Sequence, residues 1–175
     1  MKTPILETER IILRPLKVSD AQTIFNNWTS DPEVAKYMRW NTHKSVKETK
    51  EWLSYTRKNI KSDKMYDWGF ILKETGIISG SGGLYYNEEY KMLEIGYCLM
   101  REHWGKGLAT EAAKAMVDFA LNELKQTKLY VKHAAENTAS GRIIEKLGFV
   151  HSHDGKYKSF DGERVSKSRE YFLEA

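Results

Sequence analysis

The stretch from Met92 to Ala112 constrains this chain more than any other, because its hydrophobic period changes from strand-like to helical within a few residues. Aliphatic and aromatic residues fill Met92 to Met100, and only Glu94, Gly96 and Cys98 break the run, which predicts a buried strand. Leu108, Ala112, Ala115 and Phe119 then recur at helical spacing, with Met116 and Ala120 beside them. Gly105 and Gly107 sit at the junction. The first N–H groups of a helix lack partners inside it, and the helix dipole places partial positive charge there. Glycines ahead of such a helix let a bulky anion approach the backbone, and Lys106 adds a mobile cation. A phosphate or pyrophosphate fits that chemistry. The same glycines equally fit a tight strand-to-helix turn that needs unusual dihedrals. The spacing is neither the P-loop pattern nor the three-glycine dinucleotide fingerprint.

The chain has 175 residues, enough for one domain (1–175) with a sizeable core. It contains no apolar run near the ~20 residues a membrane span requires, and MKTPILETER lacks the apolar centre of a signal peptide. The single cysteine, Cys98, excludes an intramolecular disulfide framework and fits a cytoplasmic setting. A net charge of +4 is spread along the chain, which suits a solvated surface first and a polyanionic cofactor second; no nucleic-acid or membrane partner is expected. Repeats, low-complexity tracts and linkers are absent.

Taken in order, Arg10 to Leu16 predicts a strand that Pro15 ends or places at an edge. Ser19 to Gln22 reads as a capping box opening a helix with Ala21, Ile24, Phe25 and Trp28 on one face, ending near Asp31-Pro32. Ser45 to Glu48 reads as a second capping box, followed by Val46, Thr49, Leu53, Thr56 and Ile60 along one side. A polar loop is expected over Lys61 to Asp67, then antiparallel strands over Trp68–Leu72 and Ile77–Tyr86. Ser79-Gly80-Ser81-Gly82-Gly83 carries almost no side chains and predicts a bulge or a close backbone approach. Beyond the central helix, a strand is expected at Leu129–Ala135 and a short helix capped by Asn137-Thr138 and closed by Gly148. Strands from Phe149 and over Val165–Leu173, joined at Asp161-Gly162, complete the chain.

The turn Trp104-Gly105-Lys106-Gly107-Leu108-Ala109 resembles the Gln/Arg-x-x-Gly-x-Gly/Ala turn that seats the acetyl-coenzyme A pyrophosphate in the GCN5-related N-acetyltransferase (GNAT) superfamily; it matches at Gly107 and Ala109. Trp104 in place of the usual first residue, and Ala109-Thr110-Glu111-Ala112 after it, are similar to the branch of ribosomal-protein N-terminal acetyltransferases of the RimJ/RimL type. That branch also favours the patterns at Glu7–Leu16, at Asp31–Val34, and at Asn137, Ser140, Lys146, Gly148 and Phe149. The resemblance covers nearly the whole chain. It implies an α/β (α+β) fold with a mixed, mostly antiparallel sheet, splayed between its fourth and fifth strands and flanked by helices. It implies acetyl-CoA as co-substrate, an amine acceptor, and a monomer or homodimer.

The resemblance also assigns residues. Cofactor contacts fall on Trp104, Gly105, Lys106, Gly107, Leu108, Ala109 and Thr110, on main-chain groups of Tyr97, Cys98, Leu99 and Met100, and on Asn137 for the pantetheine arm. Glu94 aligns with a strand glutamate that acts as base in histone-acetylating relatives; its bland alternative is an ion pair. Many relatives carry a tyrosine acid at the position of Ile144, which cannot donate a proton, and Ser140 is the substitute that the ribosomal-protein branch suggests. Ser140 could equally be a residue of the helix's first turn that bonds backbone. A lone strand cysteine is far more often inert packing, so direct transfer is favoured over an acetyl-Cys98 intermediate. Trp28, Tyr37, Trp40 and Tyr85 could line the acceptor cleft or serve the core. His151 and His153 would share a strand face, and two ligands do not make a metal site, so no metal is expected.

An α-amine has a pKa near ~8 and a lysine amine near ~10.4, so the neutral fraction at pH 7 is roughly a hundredfold larger for a protein N-terminus. That favours an N-terminal α-amine, with a small-molecule amine (antibiotic, polyamine or amino acid) as alternative. A catalytically silent coenzyme A sensor is a third reading.

Overall fold

Eight strands form one sheet in the computed structural model, which describes residues 1–175. In chain order these are β1 (Leu6–Glu7), β2 (Ile11–Arg14), β3 (Met65–Leu72), β4 (Ile78–Asn87), β5 (Met92–Leu99), β6 (Lys128–Ala134), β7 (Val150–Lys158) and β8 (Val165–Glu174). The sheet order is β1-β2-β3-β4-β5-β6-β8-β7, and β5–β6 is its one parallel pair. The helices are α1 (Ala21–Ile24), α2 (Pro32–Ala35), α3 (Val46–Lys58), α4 (Leu108–Asn122) and α5 (Thr138–Lys146). None is long and apolar enough to cross a membrane.

The expected strand-turn-helix junction is present as β5 and α4. Leu93, Ile95 and Leu99 point from β5 into the main core, where they meet Leu108, Ala112, Met116 and Phe119 of α4. Leu16, Ala21, Ile24, Trp28, Val34, Leu53 and Ile78 form a second, smaller cluster.

Pairing between β5 and β6 covers only Leu93↔Leu129 and Glu94↔Tyr130, whereas β4 and β5 stay paired from Asn87↔Met92 to Gly80↔Leu99. The sheet therefore splays beyond Glu94. The glycines of β4 act on this geometry. A Cβ at Gly80 would lie 2.1 Å from the Cys98 carbonyl oxygen, and one at Gly82 would lie 2.7 Å from that of Gly96. Without side chains at these positions, the second half of β5 can close on β4 and leave β6. Phe70 pairs with Gly80 but Ile71 with Ile78, so Ser79 is the extra residue of a bulge. The Ser79 carbonyl accepts from Met100 N–H at 2.7 Å and its hydroxyl lies 2.7 Å from His103 Nδ1, which anchors the end of β5.

Four local expectations need correction. The first helix is broken into a 3-10 turn (Val18–Asp20), α1 and a π turn (Phe25–Thr29). Ser19 to Gln22 forms no capping box: Lys17 is the N-cap through its backbone, its amide donating to the Asp20 carboxylate at 2.8 Å, which also takes the Arg14 guanidinium at 2.9 Å. The segment does end just before Asp31-Pro32, with Ser30 as its C-cap, and Asp31 then opens α2 by accepting from Glu33 N–H. The supposed loop before Trp68 is already strand from Met65, so Asp67 stands in β3 opposite Gly83. Finally, a bulge between His151 and His153 turns them to opposite faces: His151 packs on Tyr171, His153 on Phe172. The Ser45–Glu48 box, the Gly148 helix stop and the Asp161-Gly162 turn fall where expected.

Gly80→Ala should destabilise the protein by about 2–4 kcal/mol, since backbone must move to admit the methyl group. Urea unfolding measures this, and an unchanged midpoint would contradict the close approach.

Candidate active site

Gly105 and Gly107 both have positive φ, +74° and +76°, and Gly107 is the N-cap of α4. The loop turns its amides outward. From Gly105 to Thr110, no main-chain N–H donates to a protein acceptor. The loop is held from behind. Arg10 Nη1 donates to the Lys106 carbonyl at 2.9 Å, and Arg10 Nε donates to Glu111 Oε1 at 2.7 Å. Glu111 Oε2 also accepts from the Arg10 amide at 2.9 Å and the Thr8 hydroxyl at 2.5 Å. Partial burial pushes the Glu111 carboxyl up, but these donors outweigh it and hold the group below its usual range. Two sequence patterns distant in the chain, Glu7–Arg10 and Ala109–Ala112, thus form one clamp behind the loop. Lys106 is exposed and in no ion pair.

The unpaired part of β5 runs from this loop into the sheet. Met100 N–H is already committed to Ser79, so of the four expected main-chain contacts its amide is occupied. Ladder alternation then directs the main-chain groups of Cys98 to β4 as well, and those of Tyr97 and Leu99 to the gap beside β6. The Leu99 carbonyl accepts from Trp104 Nε1 at 2.9 Å, which gives Trp104 a positioning role between strand and loop.

Across the gap, Asn137 caps α5, its Oδ1 taking Ser140 N–H at 3.4 Å. The Ser140 hydroxyl lies 3.1 Å from the Tyr97 phenol, a contact that spans the splay from β5 to α5. Burial raises the Tyr97 phenol to about 12 against the opposing pull of Ser140. Ile144 is fully buried in the main core.

A cleft of about 810 Å³ opens over the sheet and reaches through the splay to Tyr97, Asn137 and Ser140. Its floor takes Asp67 from β3, Ser81 and Tyr85 from β4, and Glu94, Gly96 and Cys98 from β5. These alternate residues share one face by strand register. Glu94 Oε2 accepts from Asn87 Nδ2 at 2.9 Å and has no cationic partner. Burial pushes the Cys98 thiol up to about 11, with the Ser81 contacts opposing, so a thiolate is scarce at neutral pH. Tyr37, Trp40 and Trp28 form part of the wall, and Trp28, only 1% exposed, also belongs to the smaller core cluster. The β7–β8 turn closes one end: Arg164 donates to the Met38 and Trp40 carbonyls at 3.2 and 2.9 Å, and Arg39 donates to Lys158.

Sequence reasoning missed two groups here. Tyr97 enters through its side chain as well as its backbone. Asp67, assigned to a loop, lies on the cleft floor and accepts from the Tyr85 hydroxyl at 2.8 Å. The one available signal for Asp67 was the glycine-rich strand that pairs beside it. No group of three or more His, Cys, Asp or Glu side chains is arranged to hold a metal ion.

A family model described as an acetyltransferase (GNAT) domain matches residues 10–150. The chain is 33% identical over 145 residues to an uncharacterized N-acetyltransferase, p20, of Bacillus licheniformis, covering 82% of this chain and 81% of that protein. The fold matches that of the ribosomal-protein-S5-alanine acetyltransferase from Vibrio fischeri, with a TM-score of 0.80 at 19% identity over 98% and 96% of the two chains. It also matches the microcin C7 self-immunity acetyltransferase MccE, solved with acetyl-CoA and AMP, with a TM-score of 0.84 at 16% identity over 96% and 94%. With an outward-facing amide loop, an unpaired strand edge and these relatives, the chain belongs to the GNAT family and is an acetyl-CoA-dependent N-acetyltransferase.

Proposed function

We propose that this enzyme acetylates a primary amine, preferentially a protein N-terminal α-amine, by direct attack on the thioester. The observation that carries this reading is the unpaired edge of β5, which leads from the free amides of Gly105–Thr110 to the carboxylate-bearing cleft. The residues fit acetyl-CoA: the loop amides and Lys106 suit its diphosphate, and the Tyr97 and Leu99 main chain suits the amides of an extended arm. When bound, acetyl-CoA supplies an activated acyl group.

The protein's own groups account for the remaining requirements. Glu94 takes the proton of the attacking ammonium, and Asn87 fixes the orientation of its carboxylate. Ser140 donates a hydrogen bond toward the departing sulfur while the protonated Tyr97 phenol donates to Ser140. A phenol thus reaches the leaving-group side from β5, although α5 offers only Ile144 at the usual position. Scarcity of the Cys98 thiolate supports direct transfer over a cysteine relay. The fold shared with a ribosomal-protein-alanine acetyltransferase supports a protein N-terminus as acceptor. So does the larger neutral fraction of an α-amine at pH 7.

An acceptor screen read by thiol release tests the reading. Short peptides with free N-termini should be turned over faster at pH 7 than the same peptides blocked at the N-terminus and carrying only a lysine amine. Glu94→Gln should lower kcat/KM by about 10²-fold. Preference for the lysine amine, or full activity in Glu94→Gln, would reject it. Separately, Gly107→Val should weaken coenzyme A binding by about a hundredfold or more, because a β-branched residue resists positive φ at the amide loop. Calorimetry measures this, and unchanged affinity would remove the loop from the site.

A further inference from the structure

We propose that Asp67, braced by Tyr85, is a second cation seat in the acceptor cleft, receiving an ammonium or guanidinium that the acceptor carries in addition to the amine that is acetylated. This rests on the amine-acetylating reading above and narrows its substrate class to acceptors with two basic groups.

Asp67 is a carboxyl without a protein cation. It takes part in no ion pair, and its one hydrogen bond comes from Tyr85 to Oδ2. No sealed side-chain oxygen or nitrogen in the molecule lacks a partner, so the unbonded Oδ1 is not closed off; Asp67 lines the cleft and also a small pocket behind it that holds Arg57, with which it forms no ion pair. The cations that line the cleft are Arg39 and Lys132, and neither pairs with Asp67. Arg39 is turned away, donating to the Lys158 carbonyl and stacking on Phe160. Burial has pushed the Asp67 carboxyl up to about 7, only partly offset by the Tyr85 hydroxyl. A bound cation would favour its charged form.

The seat is built rather than incidental. Asp67 pairs with Gly83, and Gly83 pairs with Gly96, so two residues without side chains lie between Asp67 and the splayed edge. The Tyr85 ring fills that trough. A Cβ at Gly83 would lie 2.5 Å from its hydroxyl, and one at Gly96 would lie 3.7 Å from the ring. The phenol is thereby aimed at Asp67.

Distance decides what the seat holds. Neighbouring strands lie about 4.8 Å apart, so Asp67 is about 10 Å from the β5 edge by backbone. A nitrogen held on Asp67 is therefore too far from that edge to attack a carbonyl there. Glu94 stands on β5 itself and suits the reacting amine. The cation on Asp67 belongs to a second group of the same acceptor, several bonds away. A small diamine and an N-terminal peptide with a basic second residue both have this chemistry.

Two matched pairs of acceptors separate these sources: 1,5-diaminopentane against 1-aminopentane, and a free-N-terminal peptide with lysine at position two against its norleucine counterpart. In the unaltered protein, KM should be at least tenfold lower for the dication of at least one pair, and that pair identifies the source. In Asp67→Asn the ratio should fall to about one, while Tyr85→Phe, which keeps the carboxyl, should retain part of it. No preference in either pair, or a preference that survives Asp67→Asn, would overturn the seat. A thermal melt without acetyl-CoA gives a readout independent of turnover. The preferred dication should raise the midpoint of the unaltered protein and not of Asp67→Asn, and equal shifts in both would overturn the proposal. Absence of thiol release with every amine would count against the acetylation reading instead, while the melt still decides the seat.

Discussion

Only two residue pairs join β5 to β6, and the rest of the active-site geometry follows from that shortage. A strand interior normally has both edges satisfied, because unpaired main-chain donors and acceptors are costly once shielded from water. Here β5 keeps its full ladder with β4 and gives up its other ladder beyond Glu94. The tight approach of Gly80 and Gly82 to β5, the Ser79 bulge and the Trp104–Leu99 contact all hold the separated strand in place. An extended ligand with amide groups can complete such an edge as an added strand would. The clamp of Arg10, Thr8 and Glu111 fixes the amide loop at the end of the same edge. One discontinuity in pairing thus aligns a loop of free amides, a strand edge and a cleft.

The electrostatics of the cleft differ between its α5 side and its floor. On the α5 side, burial keeps the Tyr97 phenol protonated, 3.1 Å from the Ser140 hydroxyl, so this side presents two neutral hydroxyls at neutral pH. On the floor, Glu94 and Asp67 are carboxyl groups without protein cations. Asp67 carries a cost in the free protein. Its folded-state pKa, about 7, lies above its ordinary 3.8, so the native state binds a proton that the unfolded state releases between those values. Its contribution to stability therefore declines as pH rises through that window and stays unfavourable above it. A cation on the cleft floor would relieve this.

How much of this was legible depended on whether the information was local. The change of period at Met92–Ala112 revealed β5, α4 and the loop between them, and the chemistry of helix N-termini is what points the proposal of an anion to that loop. The mostly side-chain-free run from Ser79 to Gly83 foretold the bulge and the close backbone approach. What sequence could not show depended on contacts between distant residues. The first turn starts at Lys17 rather than Ser19, with the Asp20 carboxylate accepting from both the Lys17 amide and the Arg14 side chain. A single-residue bulge separated His151 from His153, and strand alternation cannot foresee such an insertion. Asp67 was hidden by its polar neighbours, which read as loop until Gly83 and Tyr85 were placed beside it. The Tyr97–Ser140 contact joins residues 43 apart in sequence that meet across the splay.

A crystal structure of the protein with acetyl-coenzyme A bound tests the central claim most directly. The account predicts diphosphate oxygens within hydrogen-bonding distance of main-chain N–H groups in residues 105–110, with the arm of the cofactor on the main chain of Tyr97 or Leu99. A diphosphate seated elsewhere, or a β5–β6 gap closed by further strand pairing, would contradict it.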